Sequence, residues 1–150
     1  MTHLATAVSA GRNDFPHFVE GWHDRERDGR TGIAYRASKP VARFELARDP
    51  NATHLCILVS APRGLCAADL QSTVSLHGAP ELLITFQNDL WVLRRIPLPD
   101  SDGESPLSLQ IKTPEAPCPD DLLHNGDGRR LGLFLGAAWQ ESCSQSSHSN

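Results

Sequence analysis

Four cysteines and seven histidines are the side chains best suited to nucleophilic or metal chemistry in this sequence. Their spacing organises neither. There is no G-x-S-x-G elbow, and no cysteine stands in a context that would activate its thiol. Cys56, Cys66, Cys118 and Cys143 form no C-x-x-C pair, so zinc ligation is not indicated. Cys56 sits inside an apolar run and reads as a small buried hydrophobe. The histidines His3, His17, His23, His54, His77, His124 and His148 show no H-x-H or i, i+4 spacing, and His17 with His23 is the nearest approach to a pair. Asp120, Asp121 and Asp127 lie in a loop rich in Pro and Gly. They suit turn formation or a structural calcium ion, although no EF-hand pattern surrounds them. Gly126, Gly128 and Gly132 make no phosphate loop, because no Lys-Ser/Thr follows them. Catalytic residues, metals and cofactors are therefore not expected, and binding is the better class of function.

For binding, the aromatics matter most. Sugar rings present apolar C–H faces that pack on aromatic rings. Trp22 follows Gly21 in a segment without helical or strand period, which makes it the expected accessible aromatic. Trp91 and Trp139 fall in apolar strand-like runs and are expected in core or sheet-edge packing. The Arg129-Arg130 pair precedes the last apolar run, where one arginine either pins the long loop through Asp127 or Asp121 or faces a ligand.

The elements that must position these groups are strands. "VARFELAR" alternates, with Ala42, Phe44 and Leu46 on one face and Arg43, Glu45 and Ala47 on the other. "LSLQIK" does the same with Leu107, Leu109 and Ile111, while "THLCILVS" is almost continuously apolar and predicts a central strand. Ile33 to Arg36, "STVSLHG", "ELLITFQ", "LWVLRRIPL" and "LGLFLGAAW" complete a set of about eight short strands. Turns punctuate them at "RDGRTG", "RDPNA" and "DSDGESP", and a short helical turn is expected around residues 67–70. The fold class is all-β, a two-sheet antiparallel β-sandwich of jelly-roll type, since facing sheets bury one side of every strand. A flexible N-terminal arm over residues 1–14, a β-sandwich domain over 15–141 and a disordered polar tail over 142–150 are expected.

Composition narrows the partners. A chain of 150 residues that is 39% hydrophobic and 21% charged suits one globular domain. The net charge of −4 and the absence of a basic stripe argue against nucleic acid. No apolar stretch approaches the ~20 residues of a membrane span. The N-terminus lacks the basic and apolar regions of a signal peptide, so a cytoplasmic setting with reduced thiols is expected.

Two stretches, "HFVEGWHDRE…GIAYRASKPVARFEL" and "HNGDGRRLGLFLGAAW", carry a family resemblance. They resemble the small β-sandwich domains attached to bacterial glycosyltransferases and polysaccharide-biosynthesis proteins. That family's early motif runs H-(F/L)-x-x-G-(W/F)-(Y/H)-x-x-E and its late motif D-x-R-x-L-G-(L/I)-x-(L/V). Gly21, Trp22, His23 and Glu26 match the first, Tyr35 and Arg36 the strand aromatic, and Asp127, Arg129, Leu131, Gly132 and Leu133 the last. His23 replaces the family's Tyr, which weakens sugar stacking there, and the chain carries no transferase domain. The resemblance implies an accessory, carbohydrate-related module whose partner is a polysaccharide or a glycosyltransferase. Its implied surface cluster is Trp22, His23, Glu26, Tyr35, Asp127 and Arg129. The alternative is a protein-interaction or oligomerisation module, for instance a homodimer, in which Glu26 and Arg129 form a buried ion pair clasping the two ends of the chain.

Overall fold

A computed structural model of the chain describes residues 4–12, 14, 16–62, 70–100 and 105–142. Expectations for His3, Phe15, Cys66, Cys143, His148, the helical turn before Leu70 and the polar tail beyond 142 lie outside the described residues. Among the described residues ten strands and one short helix follow in order: β1 (Val8–Ser9), β2 (Phe18–Trp22), β3 (Glu26–Arg27), β4 (Ala34–Leu46), β5 (His54–Ser60), β6 (Leu70–Leu76), β7 (Leu82–Phe86), β8 (Val92–Pro97), β9 (Leu107–Lys112), α1 (Pro119–Leu123) and β10 (Phe134–Glu141). Every pairing is antiparallel.

Two layers result, as the alternation required. One runs β7-β6-β9-β4-β2 and the other β8-β5-β10, with β1 and the start of β4 on the far edge of β10. Ala42, Phe44, Leu46, Leu109 and Ile111 from the first layer meet Leu55, Ile57, Val59, Leu133, Leu135 and Ala138 from the second in one buried cluster. The inward sets read from "VARFELAR" and "LSLQIK" are the observed ones. The chain is an all-β, two-layer antiparallel sandwich.

Sequence reading split the 33–48 region into two strands, whereas β4 runs unbroken for 13 residues. Its first half pairs with β10 through Arg36 and Ala37, and its second with β9 from Val41 to Leu46. Pro40 stands between, where the strand leaves one layer for the other. A missing N–H costs little at such a changeover, and the Pro40 carbonyl still accepts from Thr113 N at 2.7 Å.

The segment around Trp22 shows no strand period in the sequence. It contains β2 and β3, and the register of β2 on β4 shifts twice, between Phe18 and Glu20 and again between Glu20 and Trp22. Bulges of this kind erase the alternation that announces a strand. The N-terminal stretch also differs from a loose arm. Val8 and Ala10 are buried, β1 pairs with β10, and Ala5 N donates to the buried His17 Nε2 at 2.9 Å. Val8 and Ala10 turn inward while Ser9 between them stays exposed, and the pairing sets Val8 opposite Ala138 and Ser9 opposite Ala137.

Candidate functional site

Segments from early and late in the sequence meet at β3. The long connection between β9 and β10 is shaped by α1 and a left-handed turn at His124, whose N–H returns to the Asp120 carbonyl. The Asp120 carboxylate accepts from Gly126 N at 2.7 Å and Asn125 accepts from Asp127 N at 3.0 Å. Asp120 is thus a turn former. Among the described residues no cluster of His, Cys, Asp or Glu is placed to hold a metal ion.

This turn delivers Arg129 onto β3. Its Nη1 donates to Glu26 at 2.6 Å, while Nε and Nη2 donate to the two oxygens of Asp127 at 2.9 and 2.7 Å. Each of the three guanidinium nitrogens therefore has a carboxylate partner. Hydrogen bonds from the Arg129 side chain, with its backbone N–H and positive charge adding, hold the Asp127 carboxyl down at about 2. The same partners raise the Arg129 pKa above its ordinary value. His23 joins the group, its Nε2 lying 3.0 Å from the Arg130 carbonyl. Glu26 and Arg129 remain 36% and 37% exposed, so the clasp is half-open rather than the buried ion pair the interaction reading required.

Because the folded pKa of Asp127 is depressed, its stabilisation is complete above the unfolded carboxylate value of ~3.9 and is lost as pH falls towards 2. With solvent screening the effect is about 1 kcal/mol. Urea midpoints measured at intervals from pH 5 to pH 2 should fall over this window, and Asp127→Asn should flatten that fall. A variant as acid-sensitive as the parent would show that the clasp is not a strut.

The remaining two residues of the expected cluster lie elsewhere. Trp22 is packed against the core, edge-on to Phe18 at 4.8 Å, and its Nε1 donates to the Arg43 carbonyl at 2.8 Å. It helps close the sandwich and is half-buried, where its irregular surroundings predict an accessible ring. Tyr35 is buried, stacked on Phe134 at 4.1 Å and 16°, with Trp91 tilted against it at 5.9 Å. Glu26 lies opposite Tyr35 in the β3–β4 register, which ties the clasp to this aromatic group.

Tyr35 and Phe134 line a pocket of about 140 Å³, and Arg27, Asp28, Arg30 and Asp89 supply its polar lining. The "RDGRTG" turn makes one wall. Asp28 organises it, accepting from Arg30 N at 2.9 Å through one oxygen and from Trp91 Nε1 at 2.7 Å through the other. Arg30 reaches across to the Asp89 carbonyl at 2.9 Å and its carboxylate at 3.2 Å. Sequence reading identified the turn but not its partners. Asp28 and Trp91, or Arg30 and Asp89, lie too far apart in the chain for any local signal to join them. Carboxylate acceptors and guanidinium donors converging beside aromatic rings can hold the hydroxyls of a neutral polyol while its apolar face packs below. The volume lies under the ~300–1,000 Å³ of sites for larger ligands, so it fits one ring or a chain end.

No family model matches the chain, and no curated protein matches it. Solved structures do. An exo-beta-1,3-galactanase from Phanerochaete chrysosporium, solved with beta-1,3-galactotriose, superposes with a TM-score of 0.52 at 11% identity. The match covers 92% of this chain and 29% of that one. The ANX1 ectodomain from Arabidopsis thaliana gives 0.52 at 14% identity, over 93% of this chain and 42% of that one. Identities this low speak for the fold alone: the same β-sandwich recurs in larger proteins, of which this chain spans less than half.

Proposed function

We propose that this chain is a non-catalytic module that binds carbohydrate in the pocket beneath the Asp28–Gly32 turn. The observation that carries it is the convergence of Asp28, Arg30 and Asp89 on the aromatic pair Tyr35 and Phe134. The fold shared with a galactan-degrading enzyme supports a sugar as ligand class. In this reading Glu26, Asp127, Arg129 and His23 are positioning residues that fix β3, and with it the turn, while Trp22 seals the layers. A bacterial polysaccharide or glycosyltransferase system is the proposed setting, resting on the motif resemblance. A reducing, cytoplasmic compartment is part of that proposed setting.

Calorimetric titration with galactose, beta-1,3-galactotriose and a panel of bacterial surface polysaccharides tests the proposal. Heat of binding is expected with at least one of them, with affinity falling tenfold or more in Phe134→Ala and in Arg30→Ala. Arg30 is 41% exposed, so its removal leaves folding intact. Silence toward every saccharide, or unchanged binding by both variants, overturns it.

One observation favours the interaction module as a second reading. The edge strand β8 and the residues before it expose Leu90, Val92 and Leu93. Unpaired strand edges with apolar side chains recruit other chains. A dimer mass by light scattering, reverting to monomer in Leu93→Lys, would favour that reading, and a monomer at all concentrations would remove the homodimer.

A further inference from the structure

Phe134 and Trp139 are five residues apart on β10. In a regular strand an odd separation puts two side chains on opposite faces. Here they share one. The register of β10 on β5 shifts between Leu135 and Ala137, and Leu135 and Ala138, themselves an odd step apart, both enter the core. The extra residue is Gly136. A Cβ there would stand 3.1 Å from Ile33 Cγ2 and 3.2 Å from the Trp91 ring. The bulge therefore does two things: it admits Trp91 to the pocket's aromatic group, and it turns Trp139 onto the outer face that carries Phe134.

Trp139 does not stand alone on that face. With Ala7, Ser9, Arg12 and Ala137 it lines an open groove of about 320 Å³, built where the N-terminal stretch docks on β10. Ala7, Ser9 and Arg12 are exposed. The Trp139 Nε1 donates to Glu141 at 3.2 Å, which fixes the plane of the indole. A fixed indole over a floor of small residues, with an arginine beside it, can pack a sugar ring and donate to its oxygens. At ~3.3 Å of rise per residue the two aromatic stations are about 15 Å apart. A linear oligosaccharide of a few units spans that distance.

We infer that the ligand is an extended glycan chain lying along the outer face of β10, held at one end in the Tyr35–Phe134 pocket and farther along in the Trp139 groove. The inference rests on the pocket reading above. Two linked stations give a long chain an avidity that neither station gives alone.

Titration of the wild-type chain with a length series of the saccharide that binds, from monosaccharide to hexasaccharide, tests it. Affinity should rise tenfold or more once the chain reaches the groove. Trp139→Ala and Arg12→Ala should return the hexasaccharide to monosaccharide affinity and leave the monosaccharide unchanged. Arg12 is exposed, so that variant stays folded if loss of the indole disturbs β10. Affinity independent of length, or hexasaccharide binding indifferent to both variants, overturns the second station while leaving the pocket intact. No binding of any saccharide overturns the pocket, and this inference with it.

Discussion

Gly21→Ala is expected to destabilise the fold by about 4 kcal/mol or more, enough to unfold much of a domain whose total stability is on the order of 5–15 kcal/mol. Gly21 adopts φ +82°, where an L side chain is strained. A Cβ there would stand 2.1 Å from the Val41 carbonyl oxygen and 2.7 Å from the Ala42 Cα. Both obstacles are backbone of β4, which is fixed by β9 on its other side, so neither can retreat cheaply. Gly132→Ala offers the contrast. Its Cβ would meet Ser38 Oγ at 2.2 Å and Thr113 Oγ1 at 2.7 Å, both side-chain ends. Ser38 Oγ has no hydrogen-bond partner to hold it, whereas Thr113 Oγ1 is tied to Ser72 Oγ at 2.7 Å, so one of the two obstacles can give. Gly132→Ala should therefore cost less than Gly21→Ala. Urea denaturation of the two variants gives the ordering directly, and a Gly21→Ala midpoint equal to wild type would mean that β2 does not lie on β4 as described.

These two glycines show what the sequence carried and what it hid. Both belong to motifs that pointed towards ligand binding, yet both are places where neighbouring chain leaves no room for a side chain. The layers themselves were legible, because Ala42-Phe44-Leu46 and Leu107-Leu109-Ile111 alternate and alternation is a local property. The meeting of Glu26 with Arg129 was anticipated from motifs at opposite ends. Less legible was the setting of the tryptophans. Trp22 looked exposed because two bulges scrambled the period of β2, and it is packed on Phe18 and Phe44. Trp139, expected in core or sheet-edge packing, is half-buried, and the bulge at Gly136 sets it on the outer face of β10. In both strands an irregular register changes which face the side chains beyond it occupy. Asp28, Arg30 and Asp89 escaped for another reason: their partners lie some sixty positions away, at separations of 63 for Asp28–Trp91 and 59 for Arg30–Asp89.

Asp28→Ala is expected to abolish saccharide binding while the sandwich stays folded. The Asp28 side chain touches both the turn and the aromatic floor, through Arg30 N and Trp91 Nε1. Removing it orphans an indole N–H and a turn N–H, which costs about 1–3 kcal/mol of stability where water cannot replace the acceptor. Trp91 is partly exposed, so the lower end applies. The loss in binding is larger, because Arg30 and Arg27 are aimed into the pocket only while the turn holds its shape. The backbone bonds that close the turn, Asp28 N to the Ile33 carbonyl and Gly32 N to the Asp28 carbonyl, survive the substitution, which keeps β3 and the clasp in place. Asp28→Asn separates shape from charge. Its single carbonyl oxygen can serve Arg30 N or Trp91 Nε1 but not both, and its amide then faces the other donor. Asn should therefore bind more weakly than wild type and more tightly than Ala. Tryptophan fluorescence reports the floor, since Trp91 loses its carboxylate partner in both variants, and calorimetry reports the ligand. If folded Asp28→Ala binds saccharide with wild-type affinity, the turn does not form the binding wall, and the aromatic pair must capture its ligand without it.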